Sequence, residues 1–463
     1  MGGEEERRRG ERGERGIKKH QLFPSISDFL YFCKVKLCIY TKIFFEMEFK
    51  REKYILKLEA YKHNHLIKVV TGLRRVGKSY LLFNLFKRHL LASGVTTNHI
   101  IEIPLDDFSF IEYRNAEKMY QFVKKASAKD NEMHYVFIDE VQMLDKFVDV
   151  LNGFLHIDNL DVYVTGSNAK FLSSDIVTEF RGRGVQVNVN PLTFKEILTE
   201  KGGDVTSVWK DYMYYGGIPL VVAEPDASIK REMLHALVKE TYLTDIIGRN
   251  KVKNDAELSD LFNILASNIG TLTNPTKLSN TFRSEKNVSL NSWTIKQYID
   301  YFEDSFLLKK TIRYDIKGKK YIDTPCKYYF SDIGLRNSTL DFRQVEPTHV
   351  MENIIFNHLI HFGYNVDIGV IERYSKDNDG KTVRNTLEVD FVCNKDNDRL
   401  YIQSAFSIPD AEKLEQEQRS LYLINDSFKK IILTNDTIPA HRLNNGVYVM
   451  NVCDYLCRCD SHL

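Results

Sequence analysis

With 463 residues, 43% of them apolar, the chain has material for two to four domain cores, which makes a single-domain organisation the wrong expectation. Lys and Arg (64) nearly cancel Asp and Glu (63), which removes any whole-chain electrostatic case for a nucleic-acid binder and leaves only local basic patches to consider. Seven cysteines (Cys33, Cys38, Cys326, Cys393, Cys453, Cys457, Cys459), odd in number and without histidines at zinc-finger spacing, argue against a disulfide scaffold or a cysteine–zinc site and fit a reducing, cytoplasmic setting.

The opening MGGEEERRRGERGERGIKKH is low in complexity and densely charged with both signs, so it is expected to be disordered. In SDFLYFCKVKLCIYTKIFFE, Lys34, Lys36 and Lys42 cut the apolar run into pieces far shorter than the ~20 residues of a membrane span, so no membrane anchor is expected. Residues 1–46 read as a dispensable extension or mis-assigned start. Ordinary globular patterning begins at Met47.

REKYILKLEAY suits a short amphipathic helix, LIKVVTG a strand, and SYLLFNLFKRHLLASG a helix stopped by Gly94. HIIEIPLDD reads as a strand, Ala116–Ala128 as a helix, HYVFIDE as a buried strand, VQMLDKFVDVLNGFLHI as a helix and LDVYVTGSN as another strand. Strands alternating with helices imply a parallel sheet covered on both faces, here over 47–190. Residues 191–255 read as a helical lid or linker, broken by a turn at Gly216, Gly217 and Pro219, and 256–325 as a winged-helix-like or helical module. The last region, 326–463, mixes strands (KYYFSD, LEVDFVC, RLYIQSAF, KKIILTN, GVYVMNV) with two helices and is expected to be a separate α/β domain. The fold class is therefore α/β.

GLRRVGKS is a complete P-loop pattern between strand and helix. Gly72 and Gly77 let backbone wrap a phosphate, Lys78 brings charge to the β- and γ-phosphates, Ser79 can hold Mg²⁺, and Leu73, Arg74, Arg75, Val76 and Tyr80 complete the cradle. Arg74 and Arg75 are open between solvent, phosphate and a partner subunit, with solvent favoured. At the end of a buried strand, Asp139 is placed to bind Mg²⁺ and Glu140 to polarise an attacking water. Ser167 and Asn168, ending the next strand, could sense the γ-phosphate or form a simple polar turn. Arg181 and Arg183 in EFRGRG stand equally for an arginine finger or a solvated basic loop.

Taken together, IKVVTGLRRVGKSYLL, YVFIDEVQ, VYVTGSNAKFLSSDIVTEFRGRGVQVNVNPLTFKE, YYGGIPLVV, TYLTDIIGRNKV, YYFSDIGLRN, MENIIFNHL, LEVDFVCN and YIQSAFS give a chain that resembles bacterial and archaeal AAA-superfamily ATPases of the AAA_14 type. Those proteins carry a C-terminal DUF4143 domain with a restriction-endonuclease-like fold. The resemblance spans about Arg51 to Asn451. It implies ATP and Mg²⁺ as ligands of Lys78, Ser79 and Asp139, Glu140 as the water-activating group, Ser167 or Asn168 as sensor and Arg183 as the arginine of a Gly-Arg motif. Glu352 and Asp390 match the acids of a metal-dependent nuclease core, but Gln403 and Ala405 stand where a further acid and a lysine are needed, so nuclease chemistry is expected to be lost. Glu388 reads as a solvated strand edge, with a weak metal site as the alternative.

The resulting expectation is a Mg²⁺-dependent ATPase whose nucleotide state rearranges a nuclease-like C-terminal domain. The alternative is a non-turning, nucleotide-dependent module that binds DNA or another protein; an active nuclease is the weakest reading. The stretch from Lys296 to Lys320 carries lysines and an arginine among aromatics, but Asp300, Glu303 and Asp304 interrupt it, so a solvated face competes with a phosphate groove. An arginine finger acting in trans would require a homo-oligomer.

Overall fold

The computed structural model describes residues 47–166, 180, 182–252, 254–286, 288–376 and 382–458. The expectations for 1–46, Ser167, Asn168 and Arg181 fall outside these residues.

The first layer is a five-stranded sheet. Its strands β1 (Ile67–Gly72), β2 (Ile100–Pro104), β3 (His134–Asp139), β4 (Leu160–Thr165) and β5 (Gly184–Val189) lie in the order β2-β3-β4-β1-β5, and every pairing is parallel. Strands β1, β3 and β4 are buried along their whole length, as near-continuous apolar runs must be when helices cover both faces. One polar intruder is satisfied within the core: Lys68, on central strand β1, is ion-paired to Asp161 on β4, which also accepts the Tyr163 hydroxyl at 2.8 Å. Removing one partner of such a pair would leave a buried charge, at a cost of ~3–5 kcal/mol.

Two departures from the sequence reading have local causes. The run from Val141 to Ile157 is not one helix: a 3₁₀ turn at Val141–Met143 is followed by a break, and helix begins only at Phe147–Phe154, because Glu140 and Lys146 both adopt positive φ. The helix after the P-loop is continuous over Lys78–Tyr80, Leu81–Phe86 and Lys87–Ala92, but its middle segment is a π-helical turn.

Helices Phe194–Lys201, Val205–Tyr215, Pro219–Ala223, Ala227–Ala236, Leu237–Leu243 and Thr244–Asn250 follow. Next come Asp255–Ser267, Pro275–Lys286 and Ser292–Asp304, and then the antiparallel hairpin of β6 (Leu308–Asp315) and β7 (Lys320–Phe330). Thr273, between the first two of those three helices, bridges antiparallel to Cys326 on β7. The chain order here is helix, bridge, two helices and hairpin.

The second sheet has eight strands. To β6 and β7 it adds β8 (Asn365–Lys376), β9 (Thr382–Lys395), β10 (Asp398–Ala405), β11 (Lys429–Thr434), β12 (His441–Arg442) and β13 (Tyr448–Asn451), in the order β12-β13-β11-β10-β9-β8-β6-β7. The division at 325/326 thus falls inside β7. Helix Pro347–His361 packs on this sheet with Val350, Met351, Ile354, Ile355 and Leu359 buried.

Two sequence motifs meet in one joint. Asp332, from YYFSDIGLRN, caps helix Ile333–Thr339 through the Leu335 amide and accepts from the Gly217 amide of YYGGIPLVV at 2.7 Å. Asn337 donates to the carbonyls of Met213 and Tyr214, both at 3.0 Å. Deep burial raises the Asp332 carboxyl to about 6, against the backbone amides that favour its charged form.

Candidate nucleotide site

Strand β1 ends in the loop Gly72–Gly77, and two glycines there have different tasks. At Gly72, with φ +136, an added Cβ would lie 2.2 Å from the Val189 carbonyl oxygen of β5, so only glycine lets the two strands close. Gly77, φ +94, has no atom within 4 Å of where a Cβ would sit, which leaves open space beside the loop backbone. Leu73 and Val76 point into the core, so their contribution to the loop is backbone only. Arg75 is exposed at φ +64.

Lys78 is buried, and its Nζ donates to the carbonyls of Gly72 and Leu73, both at 3.1 Å, so the side chain folds back over its own loop. Burial lowers the ammonium to about 8, against the pull of Glu140 and Asp139. Ser79 Oγ donates to Asp139 Oδ1 at 2.9 Å, and the Thr165 hydroxyl donates to the same oxygen. Burial raises the Asp139 carboxyl, and these two hydroxyls work in the other direction. Thr165 also accepts from the Glu140 amide at 3.0 Å, which holds Glu140 in its left-handed conformation at φ 48 beside Gln142, a donor to its carboxylate. The topology explains this convergence: β4 lies between β1 and β3, so its last residue, Thr165, reaches the acids ending β3. Ser79 Oγ and Asp139 Oδ1 are hard oxygen donors of the kind Mg²⁺ takes, and open space beside Gly77 adjoins the first turn of the helix. The residues fit both ligands.

Arg74 is 37% exposed yet anchored. Its guanidinium pairs with Asp245, and its carbonyl accepts from the Tyr242 hydroxyl at 2.7 Å, both partners coming from the Leu237–Leu243 and Thr244–Asn250 segments. Arg249 lies 3.6 Å from Asp245 and close enough to Glu140 to be raised by it, although burial, the larger effect, lowers it. Sequence reasoning missed Thr165, Tyr242, Asp245 and Arg249. The stretch TYLTDIIGRNKV carried the last three, without any spacing that tied them to the loop.

Arg183 does not join this site. It precedes β5, and its carbonyl accepts from Ile67 N at 2.9 Å, at the start of β1. Because β1 and β5 are parallel, Arg183 stands at the opposite pole of the sheet from Gly72, about 17 Å of strand away.

The C-terminal acids also differ from expectation. Lys327, on β7, reaches Glu352 at 2.9 Å and Glu388 at 2.7 Å, and Tyr329 donates to Glu352 at 2.6 Å. Glu388 is therefore ion-paired, not a free strand edge. Asp390 accepts from the Ser404 amide at 2.7 Å. Burial alone would raise Glu352, but Lys327, His349 and Tyr329 hold it down to about 2, and Asp390 is pushed well up by burial and by Glu352. Gln403 and Ala405 follow on β10, with Ala405 buried.

The all-parallel β2-β3-β4-β1-β5 sheet, with its glycine loop at the end of β1 and its acids at the end of β3, the two strands on either side of β4, defines a P-loop ATPase domain of the AAA class. Residues 64–198 match the AAA_14 family, an AAA domain. An uncharacterized protein of Haemophilus influenzae is 33% identical over 411 residues, covering 88% of this chain and 98% of its own, and the chain belongs to the same family of AAA-domain proteins as that relative. An uncharacterized protein of Methanocaldococcus jannaschii is 28% identical over 398 residues, 82% of each chain. Among solved structures, the chain is similar to the Aeropyrum pernix Orc1 protein in complex with DNA at 12% identity, covering 64% of this chain and 93% of that one, with a TM-score of 0.29. The second domain expected from sequence needs correction: residues 206–346 match DUF8612, a domain of unknown function, and not a DUF4143 restriction-endonuclease-like domain. The physical reason is that β6 and β7, from residues 308–330, are integral strands of the eight-stranded sheet, so the short C-terminal motifs did not delimit a separate unit. Among the described residues, no helix is long and apolar enough to cross a membrane.

Proposed function

We propose that the chain is a Mg²⁺-dependent ATPase whose nucleotide state is passed to the helical and mixed-sheet regions through Arg74. The observation that carries this reading is the meeting of Ser79, Thr165 and Asp139 at one carboxylate oxygen, next to a lysine held over the phosphate loop. Lys78, released from the Gly72 and Leu73 carbonyls, would turn to the β- and γ-phosphates. Ser79 and Asp139 would hold Mg²⁺, which supplies charge neutralisation at the phosphates when bound. Glu140, fixed by Thr165 and Gln142, would accept the proton of an attacking water. A change of loop shape would be felt at once by Asp245 and Tyr242, because they clasp both the side chain and the carbonyl of Arg74. Its position takes Arg183 away from its own chain's nucleotide, so an arginine finger here would have to act in trans, and a solvated basic loop is the alternative. The Lys327–Glu352–Glu388 cluster is tied together by ion pairs, which supports reading it as structural.

The test is ATP turnover by the purified chain with Mg²⁺. Glu140→Gln should keep ATP affinity and lose turnover by roughly 10²–10⁴-fold, while Lys78→Ala should lose ATP binding. Turnover by Lys78→Ala at the unmodified rate would sink the assignment.

A second reading, that the same ATPase engages duplex DNA, is favoured by one groove. Lys277, Asn280, Trp293 and Lys296 line it on helices Pro275–Lys286 and Ser292–Asp304, and the Trp293 side chain is 66% exposed. An exposed indole between two lysines suits a phosphate backbone and a nucleic-acid surface.

A further inference from the structure

At the pole of the parallel sheet opposite the nucleotide site, His99, Asp130 and His134 bring three ligand atoms within 4.8 Å of one another. His99 closes the short 3₁₀ turn Thr97–His99 before β2, Asp130 lies in the loop after helix Ala116–Ser127, and His134 opens β3. Five residue steps along β3, about 17 Å, separate His134 from Asp139 at the other end.

The outer face of each imidazole is already engaged. His134 Nδ1 lies 2.9 Å from the Glu132 carbonyl, which accepts only from an N–H, and 3.5 Å from Asn159 Nδ2, so Nε2 is the ring nitrogen left to take a ligand. His99 Nδ1 lies 2.8 Å from the Thr96 hydroxyl, and its Nε2 is hydrogen-bonded to Asp130 Oδ2 at 3.1 Å, so a metal ion would take the place of the proton shared there. His134 is 1% exposed, yet among the described residues its Nε2 has no hydrogen-bond partner, and Asp130 Oδ1 is 3.9 Å away. A buried, unpartnered imidazole nitrogen facing a carboxylate beyond hydrogen-bond range is an arrangement that a shared cation would satisfy. Ligands about 2.0–2.1 Å from a tetrahedral ion stand roughly 3.3 Å apart; the two imidazoles here lie 3.1 and 3.9 Å from the Asp130 oxygens and the whole set spans no more than 4.8 Å, so a bound ion would draw it slightly inward.

The loop that presents Asp130 is built in advance. The Asn159 side-chain Nδ2 lies 2.9, 3.2 and 3.3 Å from the carbonyls of Ser127, Asp130 and Glu132, which share its two hydrogens, and the His134 backbone amide donates to the Asn159 backbone carbonyl at 2.8 Å. The Glu132 amide donates to Asp130 Oδ1 at 3.0 Å, which orients the carboxylate. Oriented imidazoles, a hydrogen-bonded carboxylate and a tied loop are the outer shell that metal sites require.

We propose that His99 Nε2, Asp130 and His134 Nε2 bind one divalent transition-metal ion of the zinc type, which fastens the loop before β3 to the turn before β2. Asp130 is 44% exposed, so the fourth position opens to solvent water. Neither the P-loop nor its Mg²⁺ ligands take part.

The experiment is a Co²⁺ titration of the full chain, stripped with chelator and free of nucleotide and Mg²⁺. One equivalent should bind with visible d–d bands and without thiolate–cobalt charge-transfer absorption, which separates this site from the cysteines, and Zn²⁺ should displace it. His99→Ala and Asp130→Asn should each weaken binding at least tenfold while the metal-free melting temperature and ATP affinity stay unchanged. Absence of a nitrogen/oxygen-type cobalt spectrum in the unmodified chain, or the same spectrum in both variants, would overturn the proposal.

Discussion

The two loop glycines separate what holds the sheet from what holds a phosphate. Gly72→Ala would drive a methyl group into the Val189 carbonyl at a φ of +136, so strand β5 must move. Backbone strain alone costs about 1–3 kcal/mol, and the variant should melt earlier, with nucleotide affinity falling as a consequence. Gly77→Ala meets no neighbouring atom, so its cost is the positive φ and a methyl group in the space beside the loop. Its melting temperature should fall less than that of Gly72→Ala, while ATP affinity drops at least as far. Differential scanning fluorimetry paired with a nucleotide titration distinguishes the two, and equal melting losses would refute the division of labour. The pattern GLRRVGKS identifies both glycines but cannot rank them, because the carbonyl that Gly72 must clear comes from a strand more than a hundred residues later.

At the level of elements, the helix pair carrying Lys277 and Trp293 makes a direct prediction. Trp293→Ala should weaken duplex DNA binding by removing the indole's packing against the sugar–phosphate backbone. Lys277→Ala with Lys296→Ala should weaken it uniformly across sequences and make the plot of log affinity against log salt shallower, by about one unit of slope for each phosphate no longer neutralised. Fluorescence anisotropy at several salt concentrations reads both effects, and a DNA affinity indifferent to all three changes would remove the groove from consideration. Trp293 stood in plain view in SWTIKQYIDYFEDSFLL, yet its exposure was illegible. Periodicity identifies the buried face of a helix, here Ile295, Tyr298, Ile299 and Phe302, but a lone aromatic outside that face looks the same whether a neighbour covers it or not. Strands β6 and β8 escaped for a related reason: Lys309, Lys310 and Arg313 on β6 and Asp367 and Glu372 on β8 break the apolar alternation that marks a strand.

Across the whole molecule, the acid response should be set where helix Pro347–His361 meets helix Glu52–Ala60, the first among the described residues. His361 is 7% exposed, 3.4 Å from the Tyr54 hydroxyl, and Lys53 donates to its carbonyl. Burial first, then Lys53, Arg51, His358 and Lys309, lower its imidazole to about 2. A depressed folded value means that the unfolded chain takes up a proton below pH 6.5 while the folded chain does not, so stability is full above that pH and falls as the medium is acidified. Between pH 6.5 and 5 this histidine alone should cost about 2 kcal/mol. Asp332, raised to about 6, acts in the opposite sense, contributing stability that is lost as pH rises through 6. Urea unfolding at pH 7 and pH 5 should therefore show a smaller difference for His361→Gln than for the unmodified chain, and an unchanged difference would contradict the seam's role.

By itself the sequence determined the AAA-type domain: the P-loop, the acids after a buried strand and the alternation of strand and helix are local signals, read within windows of ten to twenty residues. Only the tertiary structure decided what surrounds them. It brought Thr165 to Asp139 by placing β4 between β1 and β3, carried Arg183 to the far pole, and set Lys327 among Glu352 and Glu388. Each of those outcomes depends on strand order and on contacts between distant segments, and hydrophobic periodicity encodes neither.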